Sequence, residues 1–286
     1  MQKRLRIAVQ KSGRLSETSL ELLKECGISI SNGKGALIVP ASNFPIDLLY
    51  LRDDDIPQYV EDGTADLGFV GENIVAETGA KVSIVKRLDF GRCRLSLAIP
   101  KNAQYTDIQY FKDKKIATSY PKILNDYLAE NGITADVHVI SGSVEIAPAI
   151  GLADAICDLV SSGSTLLSNG LQEVAVILKS EAVMIANRRL DTEGCAILDK
   201  LMFRLNAVMA AKTSKYIILN APNDAVEAIC RVLPGMKSPT IVPLATEGWS
   251  ALHSVINEDQ FWDVIDDLKA AGAQGILVVP IEKMIL

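Results

Sequence analysis

Short apolar runs suited to buried strands alternate with stretches patterned for helices, and that alternation restricts the fold more than any other feature. LRIAVQ (5–10) has a continuous strand pattern, KSGRLS follows as a turn, and SETSLELLKECG reads as a helix that Ser16 can cap and Gly27 can end. ALIVP and IDLLYLR are strand patterns; DDDIPQYVEDGTADLGFVG gives a short helix, a glycine turn and a strand; RLSLAIP (94–100) is a further strand. A second alternating set starts near residue 101. It holds the strand KKIATSY (114–120), a helix with Pro121 in its first turn and the strand VHVISGS (137–143). The short helix VEIAPAIGLA, the buried strand AICDLV (155–160) and the strands of VAVILKSEAVMIANR (174–188) follow. Strands fed by helices in this way predict an α/β fold with a largely parallel sheet.

The pattern changes after the helix LDKLMFRLNAVMAAKT. From residue 214 the order is strand, helix, strand, strand, helix, strand, the signature of a ferredoxin-like unit. By fold-level analogy such an α+β appendix suits ligand sensing. A chain of 286 residues has room for about two or three domains at roughly 100–200 residues each.

Composition narrows the chemistry. The net charge of −6 speaks against non-specific binding to nucleic acid or an anionic membrane, while leaving room for a local basic cluster. Only His138 and His253 are present, far apart, and the five cysteines include no Cys-x-x-Cys pair. A zinc site or a Cys–His or Ser–His catalytic pair is therefore poorly supported, and the thiols read as reduced. MQKRLRIAVQ lacks the apolar stretch of a signal peptide, and no apolar run approaches about 20 residues, so the expected location is the cytoplasm.

Four stretches carry candidate chemistry. In DLVSSGSTL (158–166) a buried strand delivers Ser161, Ser162, Gly163, Ser164 and Thr165, with a helix expected from about Thr165 and Asp158 just ahead. Small residues let backbone N–H groups approach phosphate oxygens, so the stretch reads either as a phosphate cradle or as an ordinary capped turn. In VQKSGRLSE, Lys11 and Arg14 flank Gly13; Arg52 ends a neighbouring strand pattern. Cations beside exposed amides suit a polyanion, and a solvated turn is the alternative. Asp53, Asp54 and Asp55 are best explained as the start of a helix. ADLGFVGEN (65–73) and ADAICDLVSSG (153–163) share an acid, an apolar strand and a glycine turn: equivalent elements of two lobes, or coincidence. Glu145, in SGSVEIAP, is either a helix-start carboxylate or a cleft residue that stabilises positive charge.

Taken together, KSGRLSE, DLGFVGENI, RRLDFGRCRLSLA, KIATSYP, GSVEIAP, GLADAICDLVSSGSTL, SPTIVPL and ILVVPIEKM resemble the ATP phosphoribosyltransferase family, from about residue 4 to the C-terminus. The resemblance is to the long form, which carries its own regulatory domain and needs no separate regulatory subunit. It implies two periplasmic-binding-protein-like lobes around a cleft, spanning 1–95 with 184–212 and 96–183, and a regulatory ferredoxin-like (ACT-like) domain at 213–286. It implies ATP and 5-phosphoribosyl 1-diphosphate (PRPP) as substrates and Mg²⁺ as cofactor, the metal held mainly by substrate phosphates. Histidine is implied as inhibitor, with a homo-oligomer, dimer and hexamer, and no nucleic-acid or membrane partner. The family's PRPP loop falls on Asp158, Ser161, Ser162, Gly163, Ser164 and Thr165, with Asp158, Glu145 and Arg14 in the catalytic positions. Its nucleotide contacts fall on Lys11, Arg14, Arg52, Asp66 and Tyr120. Its histidine site falls on Asn220, Met236, Ser238, Thr240 and Gly275; position 220 is often an acid in the family, and Asn keeps the hydrogen bond without the charge.

Overall fold

The computed structural model describes residues 3–31, 35–233, 235 and 238–285. The chain forms two compact units, Met1–Glu21 with Ile28–Ile197 and Leu22–Gly27 with Leu198–Leu286, the division falling inside the helices Arg14–Glu25 and Thr192–Lys212.

The first unit is α/β and holds two sheets. Among the described residues, the first is six-stranded in the order Ile38–Pro40, Ile46–Leu51, Leu5–Gln10, Leu67–Gly71, Ala182–Ala186, Ser83–Arg87. The second is five-stranded in the order Leu171–Ser180, Cys93–Pro100, Ala155–Val160, Lys115–Thr118, Asp136–Val139. Each has a parallel centre: Leu5–Gln10 between Ile46–Leu51 and Leu67–Gly71, and Lys115–Thr118 between Asp136–Val139 and Ala155–Val160. These strands are apolar on both faces, with Leu5, Ile7, Val9, Phe69, Val70, Ile116 and Ile156 fully buried, as helix-covered parallel strands must be. At Gly68 an added Cβ would lie 2.6 Å from Ile56 Cγ2, so glycine lets the helix Ile56–Glu61 sit close against the sheet.

The sheets are more mixed than the sequence pattern predicts. Ser83–Arg87 leads into Cys93–Pro100, and Leu171–Ser180 into Ala182–Ala186, so the chain crosses between lobes twice. Every crossing strand enters its sheet antiparallel. Three local expectations also change. The first helix starts at Arg14, so Ser16 is buried inside its first turn rather than capping it. The strand VHVISGS stops at Val139, because Gly142 and Ser143 take left-handed φ values of 78° and 51°. VEIAPAIGLA forms only the 3₁₀ turn Val144–Ile146, since Pro148 cannot donate the hydrogen bond a continuing helix needs.

In the second unit the four-stranded sheet runs Thr240–Pro243, Trp249–Asn257, Ser214–Pro222, Gln274–Pro280, all antiparallel among the described residues. With Val226–Val232 and Glu258–Ala270 as its helices, this is the ferredoxin-like topology. Ile217, Leu219 and Ala221 are buried and alternate with less buried residues, so one sheet face forms the core with Ile229, Leu252 and Leu268. Asn257 caps the second helix, its side chain accepting from Asp259 N at 3.0 Å. Among the described residues no helix is long and apolar enough to cross a membrane.

Candidate active site

The strand Ala155–Val160 begins with a clamp. Asp154 accepts from Lys115 N at 2.9 Å through its carboxylate and donates its own N–H to Lys115 O at 2.9 Å. In the other lobe Asp66 does the same to Arg6, with the carboxylate 2.7 Å from Arg6 N and Asp66 N 2.9 Å from Arg6 O. ADLGFVGEN and ADAICDLVSSG are therefore equivalent elements of two similar lobes. Each strand lies between a parallel and an antiparallel neighbour. Asp66 thus precedes its strand, beside the start of Leu5–Gln10, whereas Lys11 follows that strand. At about 3.3 Å per residue the two are some 16 Å apart, so the structure separates Asp66 from the cations it was grouped with.

At the far end of Ala155–Val160 the chain enters the loop singled out in the sequence. Gly163 sits at φ 82°, the left-handed region that favours glycine, and a helix follows at Ser164–Ser168, one residue earlier than expected and only five residues long. Its dipole is that of little more than one turn, so the anion-binding capacity lies in free amides more than in the helix. Among the described residues, the N–H groups of Ser162, Gly163 and Thr165 meet no acceptor in the chain. Ser162 and Ser164 share a hydroxyl contact at 3.0 Å.

This loop borders a cavity of about 260 Å³ lined by Asp158, Ser161, Ser162, Gly163, Thr165 and Glu145. It is smaller than the roughly 300–1,000 Å³ typical of drug-sized ligands and suits a sugar phosphate. Glu145 stands in the 3₁₀ turn behind Ser143, whose left-handed backbone is a local strain that aims the turn. Burial pushes the Asp158 carboxyl above its ordinary value; a hydrogen bond from Leu159 N at 2.8 Å opposes the shift and the neighbouring charge of Glu145 adds to it.

Lys11 and Arg52 follow the C-terminal ends of paired parallel strands, where Lys11 N donates to Leu51 O at 2.8 Å. Gly13, at φ 103°, turns the chain into the helix that Arg14 begins. The structure brings these three exposed cations to the strand-end edge where open α/β sheets bind ligands. Tyr120 precedes the helix Pro121–Glu130, and its hydroxyl accepts from Asn73 Nδ2 of the other lobe at 3.2 Å. Burial raises its phenol pKa, and the charges of Asp158, Asp54 and Asp53 push the same way.

Comparison with known proteins gives the chain's family. Residues 52–207 match the family model described as ATP phosphoribosyltransferase, and residues 211–283 match that of the HisG C-terminal domain. The chain belongs to the ATP phosphoribosyltransferase family. Proteins of that name from Cytophaga hutchinsonii and Phocaeicola vulgatus are each 58% identical to it, the first over 98% of both chains and the second over 99% of this chain and 100% of its own. The structure of the ATP phosphoribosyl transferase HisG:HisZ complex from Thermotoga maritima aligns at 27% identity and a TM-score of 0.61, covering 70% of this chain and 98% of its own.

The family's histidine positions fall on the second unit. Met236 lies outside the described residues. Asn220 and Gly275 adjoin, since a Cβ on Gly275 would lie 3.5 Å from Asn220 Nδ2. Thr240 opens the strand at the opposite edge and Ser238 is exposed just before it. Thr240 and Gly275 are three strand spacings apart, about 14 Å, so Ser238 and Thr240 lie at one edge of the sheet and Gly275 at the other, with Asn220 on the interior strand beside Gly275.

Two groups escaped the sequence reading. Glu77 accepts from Lys122 N at 2.8 Å and Ile123 N at 3.0 Å, capping the helix of the other lobe. Arg94 donates to the carbonyl of Ser161, at the start of the 161–165 loop. Neither has a spacing signal, because each pairs with residues 45 or more positions away.

Proposed function

We infer that the protein transfers the phosphoribosyl group of PRPP to N1 of ATP with release of diphosphate, the first step of L-histidine biosynthesis and a pentosyltransferase reaction. The observation that carries the residue assignment is the cavity closed by Asp158, Glu145 and the Ser161–Thr165 loop. The loop's free amides and hydroxyls hold the 5-phosphate, and Asp158 holds the ribose hydroxyls. Lys11, Arg14 and Arg52 face the phosphates of the nucleotide and of the departing diphosphate, with Tyr120 beside them.

Adenine N1 is already nucleophilic, so the protein's task is to align two polyanions and assist the leaving group. As the C1–O bond to diphosphate breaks and the C1–N1 bond forms, the ribose carbon passes through a cation-like state. The ionised carboxylates of Asp158 and Glu145 oppose that charge, and Arg14 with its neighbours stabilises the diphosphate. Two oxygen-rich side chains at a polyphosphate site suit Mg²⁺, which binds one or two carboxylates and otherwise phosphates and water. Among the described residues no group of three or more His, Cys, Asp or Glu side chains is placed to hold a metal alone. When bound, Mg²⁺ neutralises phosphate charge.

The C-terminal domain is the histidine sensor in this reading. The Thermotoga maritima chain, solved in complex with HisZ, is matched over 98% of its length by 70% of this one, which supports a built-in domain in place of a separate subunit. The separation of Ser238 and Thr240 from Asn220 and Gly275 across the sheet supports a homo-oligomer, a dimer or hexamer, that completes the site. The reaction belongs to the cytoplasm, where both substrates are made. Incubation with ATP, PRPP and Mg²⁺ is expected to give the adduct's ultraviolet absorbance, and Asp158→Ala to abolish most of it with the fold intact. Wild-type turnover in folded Asp158→Ala refutes the assignment of Asp158, and full activity at saturating histidine refutes the sensor.

A further inference from the structure

We propose that Arg94, clamped by Glu173, is a positioning residue that sets the first peptide of the phosphate loop and so the orientation of the Ser162 N–H. The inference rests on the assignment of that loop to PRPP. Arg94 lies opposite Val160 in the register of Cys93–Pro100 against Ala155–Val160, beside the point where the loop leaves the sheet. Its Nη1 donates to Ser161 O at 3.0 Å. Its Nε and Nη2 donate to the two oxygens of Glu173, each at 2.5 Å, and fully buried Ser96 donates its hydroxyl to the same carboxylate at 2.8 Å. Ser96 in turn pairs with Asp158 across the sheet. One network thus ties the loop's first carbonyl to the strand that carries the sugar-binding acid.

The consequence follows from the geometry of the peptide group. In a planar trans peptide the C=O of Ser161 and the N–H of Ser162 point in opposite directions. Holding that oxygen toward Arg94 turns the Ser162 N–H to the opposite side. Ser161 borders two cavities, the 260 Å³ one above and another of about 440 Å³ that Arg94 also lines, whereas Ser162 borders the first. The Arg94 side therefore takes the carbonyl, and the phosphate side takes the amide. Without the anchor the peptide can rotate and set a carbonyl dipole against the phosphate. Arg94 spends its fork on Glu173 and Ser161, which makes it a holder of the loop and not a substrate contact. Lysine cannot reproduce the arrangement, because a single ammonium does not grip a carboxylate bidentately and a carbonyl at once.

The test is steady-state kinetics of Arg94→Met, Arg94→Lys, Glu173→Gln and the Arg94→Met/Glu173→Gln double variant, with Thr165→Val as a control for the loop. Arg94→Met is expected to raise KM for PRPP on the order of 10- to 100-fold while KM for ATP stays within about twofold, the scale of a misplaced binding group. Arg94→Lys falls between it and wild type. Glu173→Gln gives a smaller rise that vanishes in the Arg94→Met background, because Glu173 acts through Arg94. A merely structural role lowers the active fraction and Tm and leaves the ratio of the two KM values unchanged. If Arg94→Met fails to fold, Arg94→Lys and Glu173→Gln decide by the same ratio. An unchanged KM for PRPP in the folded variants, or Arg94 and Glu173 effects that multiply, overturns the proposal. Where Thr165→Val still weakens PRPP, only the positioning role has failed; where Thr165→Val is also silent, the loop assignment has failed.

Discussion

The strands Leu67–Gly71 and Ala155–Val160 begin alike and end differently. Both follow an aspartate that clamps the first residues of a parallel neighbour, and both lie beside an antiparallel crossing strand. Counting from those aspartates, the position of Asp158 in one lobe is that of Val70, fully buried, in the other. After the strand, the first lobe closes: Gly71 leads directly into the helix Glu72–Thr78, and buried Asn73 exchanges hydrogen bonds with Ser180 at 3.0 and 2.9 Å. The second lobe stays open, with a left-handed glycine, free amides and a carboxylate beside a cavity. A shared frame supplies stability, and one departure from it opens the candidate site.

Exchanging the two residues that mark this departure carries the largest effect. Asp158→Val is expected to lower kcat/KM by about 10²- to 10³-fold, the cost of removing one electrostatic contributor, with secondary structure retained. Val70→Asp in the other lobe buries an unpaired carboxylate and is expected to cost about 3–5 kcal/mol, read as loss of soluble folded protein. Folded, active Val70→Asp protein would break the contrast.

The two clamps carry the next effect. Asp66→Ala and Asp154→Ala each strand a backbone N–H and are expected to cost about 1–3 kcal/mol in chemical denaturation. Neither changes KM for ATP in the folded fraction. A selective rise in that KM for Asp66→Ala alone would return Asp66 to the nucleotide site.

The smallest effect is on pH dependence. Burial raises the folded-state pKa of Asp158, so its proton is lost at a higher pH than in the unfolded chain. Activity that needs the carboxylate therefore falls with decreasing pH through a value above the ordinary carboxylate pKa of about 4. The same sign makes the ionised group a stability cost, present above the folded pKa and absent below the unfolded one. Asp158→Asn is expected to melt higher than wild type at neutral pH, with the difference vanishing on acidification. Glu145→Gln removes the neighbouring charge and shifts the acid limb of the activity profile downward. An acid limb at the ordinary carboxylate value, unmoved in Glu145→Gln, would place neither group in the cavity.

The α/β alternation and the C-terminal βαββαβ order were legible because each depends on local period and turn residues. The antiparallel crossing strands Ser83–Arg87 and Leu171–Ser180 were not, since their direction is set by the path of the chain between the two sheets and not by any local pattern. Within the site, the Asp158–Thr165 run and the Lys11–Arg14 turn announce themselves by composition. Asp66 came only from the family resemblance, and the sequence alone cannot tell an aspartate that meets a ligand from one that, like Asp66, clamps the backbone of a neighbouring strand. Arg94 and Glu173 are 79 residues apart and meet only through a sheet register that includes two irregularities.

The most direct test of the central claim is residue-level amide hydrogen exchange with and without Mg²⁺–PRPP. Exchange at Ser162, Gly163 and Thr165 is expected to slow on addition of PRPP, while Gly71, Glu72 and Asn73, at the equivalent place in the other lobe, remain unchanged. Unaltered exchange in the 161–165 loop at saturating PRPP, or protection centred on 71–73, would contradict the account.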